Sequence, residues 1–335
     1  MSVTHLVCVV LVAVDVSSAN GSKRPVFDDW LKENDKQYDT AEEYERRLKI
    51  FENNLKVIET QNRRNETYKL GITSFTDMDF EEFSNLYLMN APLNCFFKKG
   101  NHPRRKGPFP KSNDWNDYPF PVVNGVFDQG TSCASGWAFA SADTLASATA
   151  ILYSTLFPLS AQQLIDCSSQ YNNYGCSGGL ASNGLEYIYY HFGIAQEKDY
   201  PYRGQDGPCN KNSSRTIAYV ATVINVTAVS ELDMIDVAAN DGPMAVGFHV
   251  PDNFHLYKSG VYQNDSCPTS GNEVNHVALI TGYDRTGDGL RYWMVKNSWG
   301  TKWGMDGYFW MELSKNVCGI MNCATYPIVH DLSGH

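Results

Sequence analysis

The chain has 335 residues, with 27 Lys and Arg against 37 Asp and Glu and a formal net charge of -10. That length accommodates two domains, or one domain with a large appendage, each with its own core. The acidic balance excludes a nucleic-acid binder, because phosphate recognition requires a clustered basic face. The one dense basic run, residues 98–106, lies among Pro, Gly and Asn and reads as an exposed, solvated linker.

Residues 6–14 form an apolar run, followed by small residues that end at Ala19 with Ser17 two before it. This is the pattern of a secretory signal over residues 1–19. The run is too short to span a bilayer and Asp15 interrupts it. No later segment is apolar enough for a membrane helix, so no membrane span is expected. Export places the cysteines in an oxidising compartment, where they are read first as disulfide partners. Sequons at Asn20, Asn65, Asn212, Asn225 and Asn264 fit a secreted glycoprotein.

Residues 25–62 are charged, punctuated by aromatics and nearly free of glycine, which predicts a helical arm. Glu43, Arg47, Phe51, Asn54, Ile58 and Asn62 recur at steps of three or four and therefore share one helical face. Their full spacing, E-x3-R-x3-F-x2-N-x3-I-x3-N, resembles the inhibitory prosegment of cathepsin L-like peptidases of the papain family. Gly71-Ile72-Thr73-Ser74-Phe75-Thr76-Asp77 is similar to that family's G-x-N-x-F-x-D element, with Thr73 in place of asparagine. The resemblance implies an arm that packs on the following domain. It also implies that the segment from about Phe83 to Pro110 runs through the substrate cleft, opposite in direction to a substrate. Asn113-Asp114-Trp115 resembles the start of the mature family domain. The expected partition is a prosegment inhibitor-like domain over 20–110 and a peptidase-like domain over 111–335.

Within the second part, residues 136–153 are alanine-rich, with Trp137, Phe139, Leu145 and Leu152 as a core stripe, and predict a buried helix. Ser160 and Gln163 open a short helix that ends at Cys167. Residues 180–192, closed by Gly193, predict another helix. Residues 230–240, stopped by Gly242-Pro243, predict a third. Short β-rich runs then follow at 244–250, 274–283, 291–297 and 307–313. Helices first and strands afterwards indicate an α+β protein with a helical half and a sheet or barrel half. The resemblance implies the two-lobed papain-like fold with its cleft between the lobes.

Cys133-Ala134-Ser135-Gly136-Trp137 resembles the C-G-[SA]-C-[WY] entry to the active-site helix of that family, with Gly136 where the nucleophilic cysteine stands. The first turn of a helix offers unpaired N–H groups and a positive dipole end that help hold a thiolate. Glycine keeps the turn and removes the chemistry. In an active member a thiolate attacks the peptide carbonyl, a histidine pairs with it and protonates the leaving amine, and an asparagine orients the imidazole. The resemblance assigns the histidine to His276, in Asn275-His276-Val277-Ala278-Leu279, and the asparagine to Asn297, in Lys296-Asn297-Ser298-Trp299-Gly300. It assigns the oxyanion donor to Gln129, and to Trp299 the indole that shields the asparagine beside the substrate groove. Thr131-Ser132 makes the loop one residue longer than usual, which displaces Gln129 from an oxyanion it would have to approach to about 3 Å. Ser135, one position early, is expected to point away from His276.

The groove resembles the family's more closely. Gly178 and Gly179 match its glycine wall, where a peptide backbone can pair with the protein. Leu180, Ala181, Gly247, Val277 and Cys323 match its main specificity pocket, and the same positions also serve as core. The resemblance pairs Cys133 with Cys176, Cys167 with Cys209 and Cys267 with Cys318. Cys95 and Cys323 are left over. They bridge if their Cα atoms lie within about 6 Å; otherwise Cys323 is a buried thiol packing as a small hydrophobe.

The expected protein is a secreted, extracellular or lysosomal cathepsin L-like homologue without proteolytic activity. It keeps a groove for its own prosegment and for a peptide or protein ligand, and it needs no metal or cofactor. The alternatives are an active cysteine endopeptidase whose recorded sequence carries a Cys-to-Gly change, and a structural or storage protein with a vestigial cleft.

Overall fold

A computed structural model of the chain describes residues 23–105, 107–210 and 215–329. The secretory signal and the sequons at Asn20 and Asn212 lie outside the described residues.

The arm begins with two helices rather than one, α1 (Arg24–Glu33) and α2 (Ala41–Asn62). The chain turns between them at Asp35, whose φ of 52° takes it out of helical geometry. Thr40 then starts α2 by accepting the Glu43 N–H at 3.1 Å, with Glu42 and Glu43 at the positive end of the helix dipole. Phe27, Trp30 and Phe51 form a small buried core between the two helices.

The six-position stripe on α2 proves to be a set of anchors for the chain that follows it. The Asn54 amide donates to the carbonyls of Thr76 and Met78, both at 2.8 Å. Asn62 brackets Leu70 through both its amide atoms, which sets strand β1 (Tyr68–Leu70). Arg47 forms ion pairs with Glu43 and Glu82, tying α2 to α3 (Phe80–Tyr87). Asp79 caps α3 by accepting the Glu82 N–H at 2.8 Å. The chain is extended only from Leu88 onward, so the cleft-crossing segment starts later than the expected Phe83, which belongs to a helix.

Strand β2 (Asn113–Asp114) opens the second part. Its central helix α4 (Gly136–Tyr153) has the predicted bounds and is buried on almost every side. Leu152 is the exception to the predicted stripe: it is 44% exposed, because α4 emerges from the core in its last turn. Helix α5 (Ala161–Cys167) is capped by the Ser160 hydroxyl, which accepts the Gln163 N–H at 2.9 Å. Helix α6 (Ala181–Tyr190) packs on α4. Strands β3 (Ile194–Ala195) and β4 (Thr216–Ala218) form a small separate ladder.

The sheet lobe follows, with β5 (Val220–Asn225), α7 (Glu231–Asn240), β6 (Met244–Phe248) and β7 (Tyr257–Tyr262). Strands β8 (His276–Arg285), β9 (Arg291–Lys296), β10 (Tyr308–Glu312) and β11 (Thr325–Val329) complete it. Among the described residues the main sheet runs β1-β7-β10-β9-β8-β6-β11-β5, with β2 alongside β8. The arm thus contributes an edge strand, Tyr68 facing Gly260 across an antiparallel pair.

One core gathers Trp137, Leu145, Leu164 and Leu185 around α4. The other gathers Phe248, Trp293, Trp303 and Phe309 inside the sheet lobe. This is the expected α+β, two-lobed arrangement. A buried ion pair, Lys296 Nζ to Asp143 at 2.7 Å, fastens β9 to α4 across the lobes.

Among its described residues the basic linker is exposed along most of its length and forms no helix or strand, as its composition predicts, but it is also anchored by ion pairs. Arg104 pairs with Asp233 at 2.8 Å, and Arg105 reaches both Asp236 and Asp241. His102, itself buried, bridges Asp236 and the Tyr326 hydroxyl. An acidic face at the start and end of α7 draws the linker onto the sheet lobe. Its preceding residues cover the free edge of β5, where the Asn101 N–H donates to the Asn225 carbonyl at 2.9 Å.

Candidate active site

The strand pairing of β8 with β6 and β9 carries His276 into the interface between the lobes, where it is fully buried. Its Nε2 lies 2.8 Å from Asn297 Oδ1, and its ring lies 4.8 Å from the Trp299 indole centre. The bond to Asn297 places a hydrogen on Nε2 and leaves Nδ1 as the basic nitrogen. Nδ1 has no hydrogen-bond partner. Burial pushes the imidazole pKa down to about 4, and the bond to Asn297 opposes that shift only in part.

Gly136 is the residue that faces this ring. A Cβ at that position would lie 2.5 Å from His276 Cε1, 3.0 Å from Nδ1 and 2.9 Å from the Val277 carbonyl oxygen. The imidazole therefore occupies part of the volume that any side chain at 136 would need. Ser135 does turn away, as expected: its hydroxyl lies 2.7 Å from the Tyr202 hydroxyl and 3.3 Å from the Cys133 carbonyl. Among the described residues every cysteine is disulfide-bonded, so none offers a thiol to Nδ1.

Gln129 is buried and engaged at both ends. Its Nε2 donates to the Tyr87 carbonyl at 2.8 Å and to the Cys133 carbonyl at 3.2 Å, and its Oε1 accepts from the Ser298 hydroxyl. The amide that would meet an oxyanion is thus held by a backbone carbonyl of the arm. Trp299 stands between His276 and the arm, in edge contact with Phe75 and Phe83.

The arm lies along the rest of the predicted groove. The Met89 N–H donates to the Asn275 carbonyl at 2.8 Å, and the N–H groups of Asn90 and Ala91 point to the Ser177 carbonyl at 3.2 Å. Met89 packs against Gly178, where a Cβ would lie 2.7 Å from the methionine Cβ, and the Gly179 N–H reaches its sulfur at 3.5 Å. Leu180, Ala181, Val277, Cys323, Met89 and Leu93 belong to one apolar cluster. Further along, Cys95 is bonded to Cys323 with their Cα atoms 5.4 Å apart, directly over Gly247. The other pairs are Cys133–Cys176, Cys167–Cys209 and Cys267–Cys318.

The comparisons with known proteins agree with this arrangement. The sequence pattern of the papain family cysteine proteases matches residues 109–328, and that of the cathepsin propeptide inhibitor domain (I29) matches residues 27–83. The chain belongs to the papain family. It is 42% identical to mouse (Mus musculus) pro-cathepsin H over 311 residues, covering 93% of this chain and 92% of that protein. It is 43% identical to bovine (Bos taurus) pro-cathepsin H over 314 residues, with the same coverage. Among solved structures it is similar to digestive procathepsin L 3 of Tenebrio molitor, with a TM-score of 0.83 at 31% identity over 92% of this chain and 99% of that one. A recombinant stem bromelain precursor superposes with a TM-score of 0.81 at 34% identity, again over 92% and 99%. Three of these are named as procathepsins and the fourth as a precursor, and this papain-family chain carries a propeptide domain as well.

Two features of this papain-family site were missed in the sequence. The contact of Tyr87 with Gln129 is made by a backbone carbonyl, which leaves no mark on residue type. The acidic partners of the linker did leave one: Asp233, Asp236 and Asp241 cluster on and just past α7. They could have been matched to the basic run by charge alone.

Proposed function

We propose that this papain-family protein is a proteolytically inactive cathepsin-like homologue whose groove is occupied by its own prosegment, in a secreted or lysosomal setting. The observation that carries the reading is the glycine in front of His276: the imidazole's free nitrogen meets neither a thiol nor a hydroxyl. An acyl-transfer mechanism needs a nucleophile within hydrogen-bond reach of its base. The Tyr87 carbonyl on Gln129 and the Cys95–Cys323 bond support the second half of the reading, because both hold the arm in the cleft.

The test uses the full secreted protein. It should hydrolyse no fluorogenic peptide between mildly acidic and neutral pH, and epoxide reagents that alkylate the family's nucleophile should leave it unlabelled. Stoichiometric labelling of any residue near His276 would overturn the proposal.

One observation favours a second reading, that of an active cysteine endopeptidase whose record carries a changed codon: the His276–Asn297 bond has the geometry a working site requires. Sequencing the transcript decides this, since a cysteine codon at position 136 would establish the second reading and a glycine codon would exclude it.

A further inference from the structure

Asn264-Asp265-Ser266 is one of the chain's sequons, and the fold gives it a setting that the exposed sequon at Asn65 does not share. The loop that bears it leaves β7 at Tyr262 and is pinned by the Cys267–Cys318 bond. Asn264 is half-buried, and its amide is held at both ends. Its Oδ1 accepts the Ser266 N–H at 3.0 Å, and its Nδ2 donates to the Tyr262 hydroxyl at 3.1 Å. The hydroxyl takes one amide hydrogen, which leaves the other position on the nitrogen for a substituent.

Asn264 and Tyr262 line a cavity of 460 Å³ between the sheet lobe and the arm, bounded on the arm side by Gln61, Arg64 and Tyr68. A volume of this size lies within the range of about 300–1,000 Å³ that holds a small ligand. Its chemistry suits a neutral, polar molecule. The rings of Tyr68 and Tyr262 lie 4.6 Å apart at 50° and give the cavity an aromatic wall, which can cover the apolar C–H face of a sugar ring. Charges at the rim are paired with one another, as where Lys315 lies 3.2 Å from Asp265 and 3.6 Å from Glu312. An ion would have to break such pairs. Hydroxyl and acetamido groups can bond to the same side chains and leave them in place.

We propose that Asn264 carries an N-linked glycan whose first N-acetylglucosamine residues occupy this cavity. The inference rests on the secreted or lysosomal setting proposed above, because the oligosaccharide is added in the lumen of the secretory pathway. In that transfer the amide nitrogen bonds to the anomeric carbon of the oligosaccharide. The bond from that carbon to a polyprenyl diphosphate donor breaks, and the amide gives up one proton. Its remaining N–H serves the Tyr262 hydroxyl as before. The sugar then takes the place of water in a polar cavity and joins Gln61, Arg64 and Tyr68 of the arm to the loop after β7. Asn65 is not among the residues that line the cavity, so a glycan there stands in solvent.

The experiment uses the full chain expressed in animal cells. Digestion with a peptide-N-glycosidase in heavy-oxygen water converts each occupied asparagine to a labelled aspartate, which peptide mass mapping reads. In exported chains the Asn264 peptide should carry the label. An unlabelled Asn264 in exported chains would overturn the proposal and leave the setting standing, whereas chains recovered only from the cytosol would overturn the setting with it. The cavity is tested by the rate of glycan release from the folded protein. Because cleavage follows the population of the open form, release at Asn264 should be about tenfold or more slower in the native protein than in its Tyr68→Ala variant. Equal rates would overturn the placement of the sugar. A second measurement needs no variant: in the native glycoprotein the acetamido methyl of the first sugar should show NMR cross-relaxation with ring protons of Tyr68 or Tyr262, and its absence would overturn the placement by itself.

Discussion

Adding a side chain at position 136 tests the central observation directly. A Cβ there would lie 2.5 Å from His276 Cε1, whereas carbon atoms in contact rest at about 3.5–4.0 Å, so the ring must retreat by about 1 Å. That retreat is resisted on two sides, by the 2.8 Å bond to Asn297 and by packing on Trp299 and Phe248. Overpacking of this kind costs about 1–3 kcal/mol. Replacing a helical glycine with alanine returns at most about 1 kcal/mol, and less in the first turn. The Gly136→Ala variant should therefore lose about 1–2 kcal/mol, a fall in Tm of about 2–8 °C by calorimetry. Gly136→Cys should pay the same steric cost and in addition raise the His276 pKa above its value of about 4, because a thiolate beside Nδ1 favours the imidazolium. Little peptidase activity should return, since Gln129 still donates to the Tyr87 carbonyl. An alanine variant as stable as the native protein, with His276 titrating unchanged, would refute the steric argument. Full activity in the cysteine variant would refute the account of Gln129.

Peptide mapping without reduction should recover Cys95 linked to Cys323, and Cys95→Ser should expose an alkylatable Cys323 and lower stability by about 3–5 kcal/mol through the lost loop constraint. The linker clamp should survive acidification to about pH 4: Arg105, together with His102, holds the Asp236 pKa below its ordinary 3.8 despite burial, so the clamp's contribution is complete above that value and is lost only as pH falls through the depressed one. Comparing native protein with Asp236→Asn, the stability difference should be constant from pH 7 to 4.5 and shrink below about pH 4; a difference that vanished by pH 5.5 would contradict the assignment.

The helices were legible because their signals are local. Residues 136–153 are alanine-rich with an apolar stripe, and Ser160 and Gln163 announce a cap within one turn. Strands β5, β7 and β11 were not foreseen, since each is short and takes its stability from partners far along the chain, as when Tyr326 faces Ile224. In the same way the spacing on α2 revealed that Asn54 and Asn62 share a face, but not that they bind the backbone of residues 70–78. The site divides along this line too. Motif spacing located Gly136, His276 and Asn297, whereas the encroachment of the ring on Gly136 is a consequence of packing between lobes that residue order does not encode. The linker's exposure was legible from its composition, whereas its anchoring on the acidic residues of α7 was not, because composition does not say which complementary charge lies nearby.

The arm is held by two sets of contacts that do not depend on each other. The helical unit, which lies upstream of Leu88, docks through β1 on β7 and through α3 on the turn at His255. The extended segment beyond it is held by backbone bonds at Met89 to Ala91, by the bond to Cys323, by the edge of β5 and by the ion pairs with α7. The second set is made wholly by residues after Leu88, and through it Met89 to Arg105 cover Gly178, Gly247 and the flank of β5. A cleft closed in this way gains nothing from a nucleophile, since a substrate carbonyl could not reach it. Conversely, a cleft without a nucleophile loses nothing by being tethered shut. On the proposed reading the glycine at 136 and the bond between Cys95 and Cys323 therefore act in the same direction, the first by removing the nucleophile and the second by holding the arm over the groove.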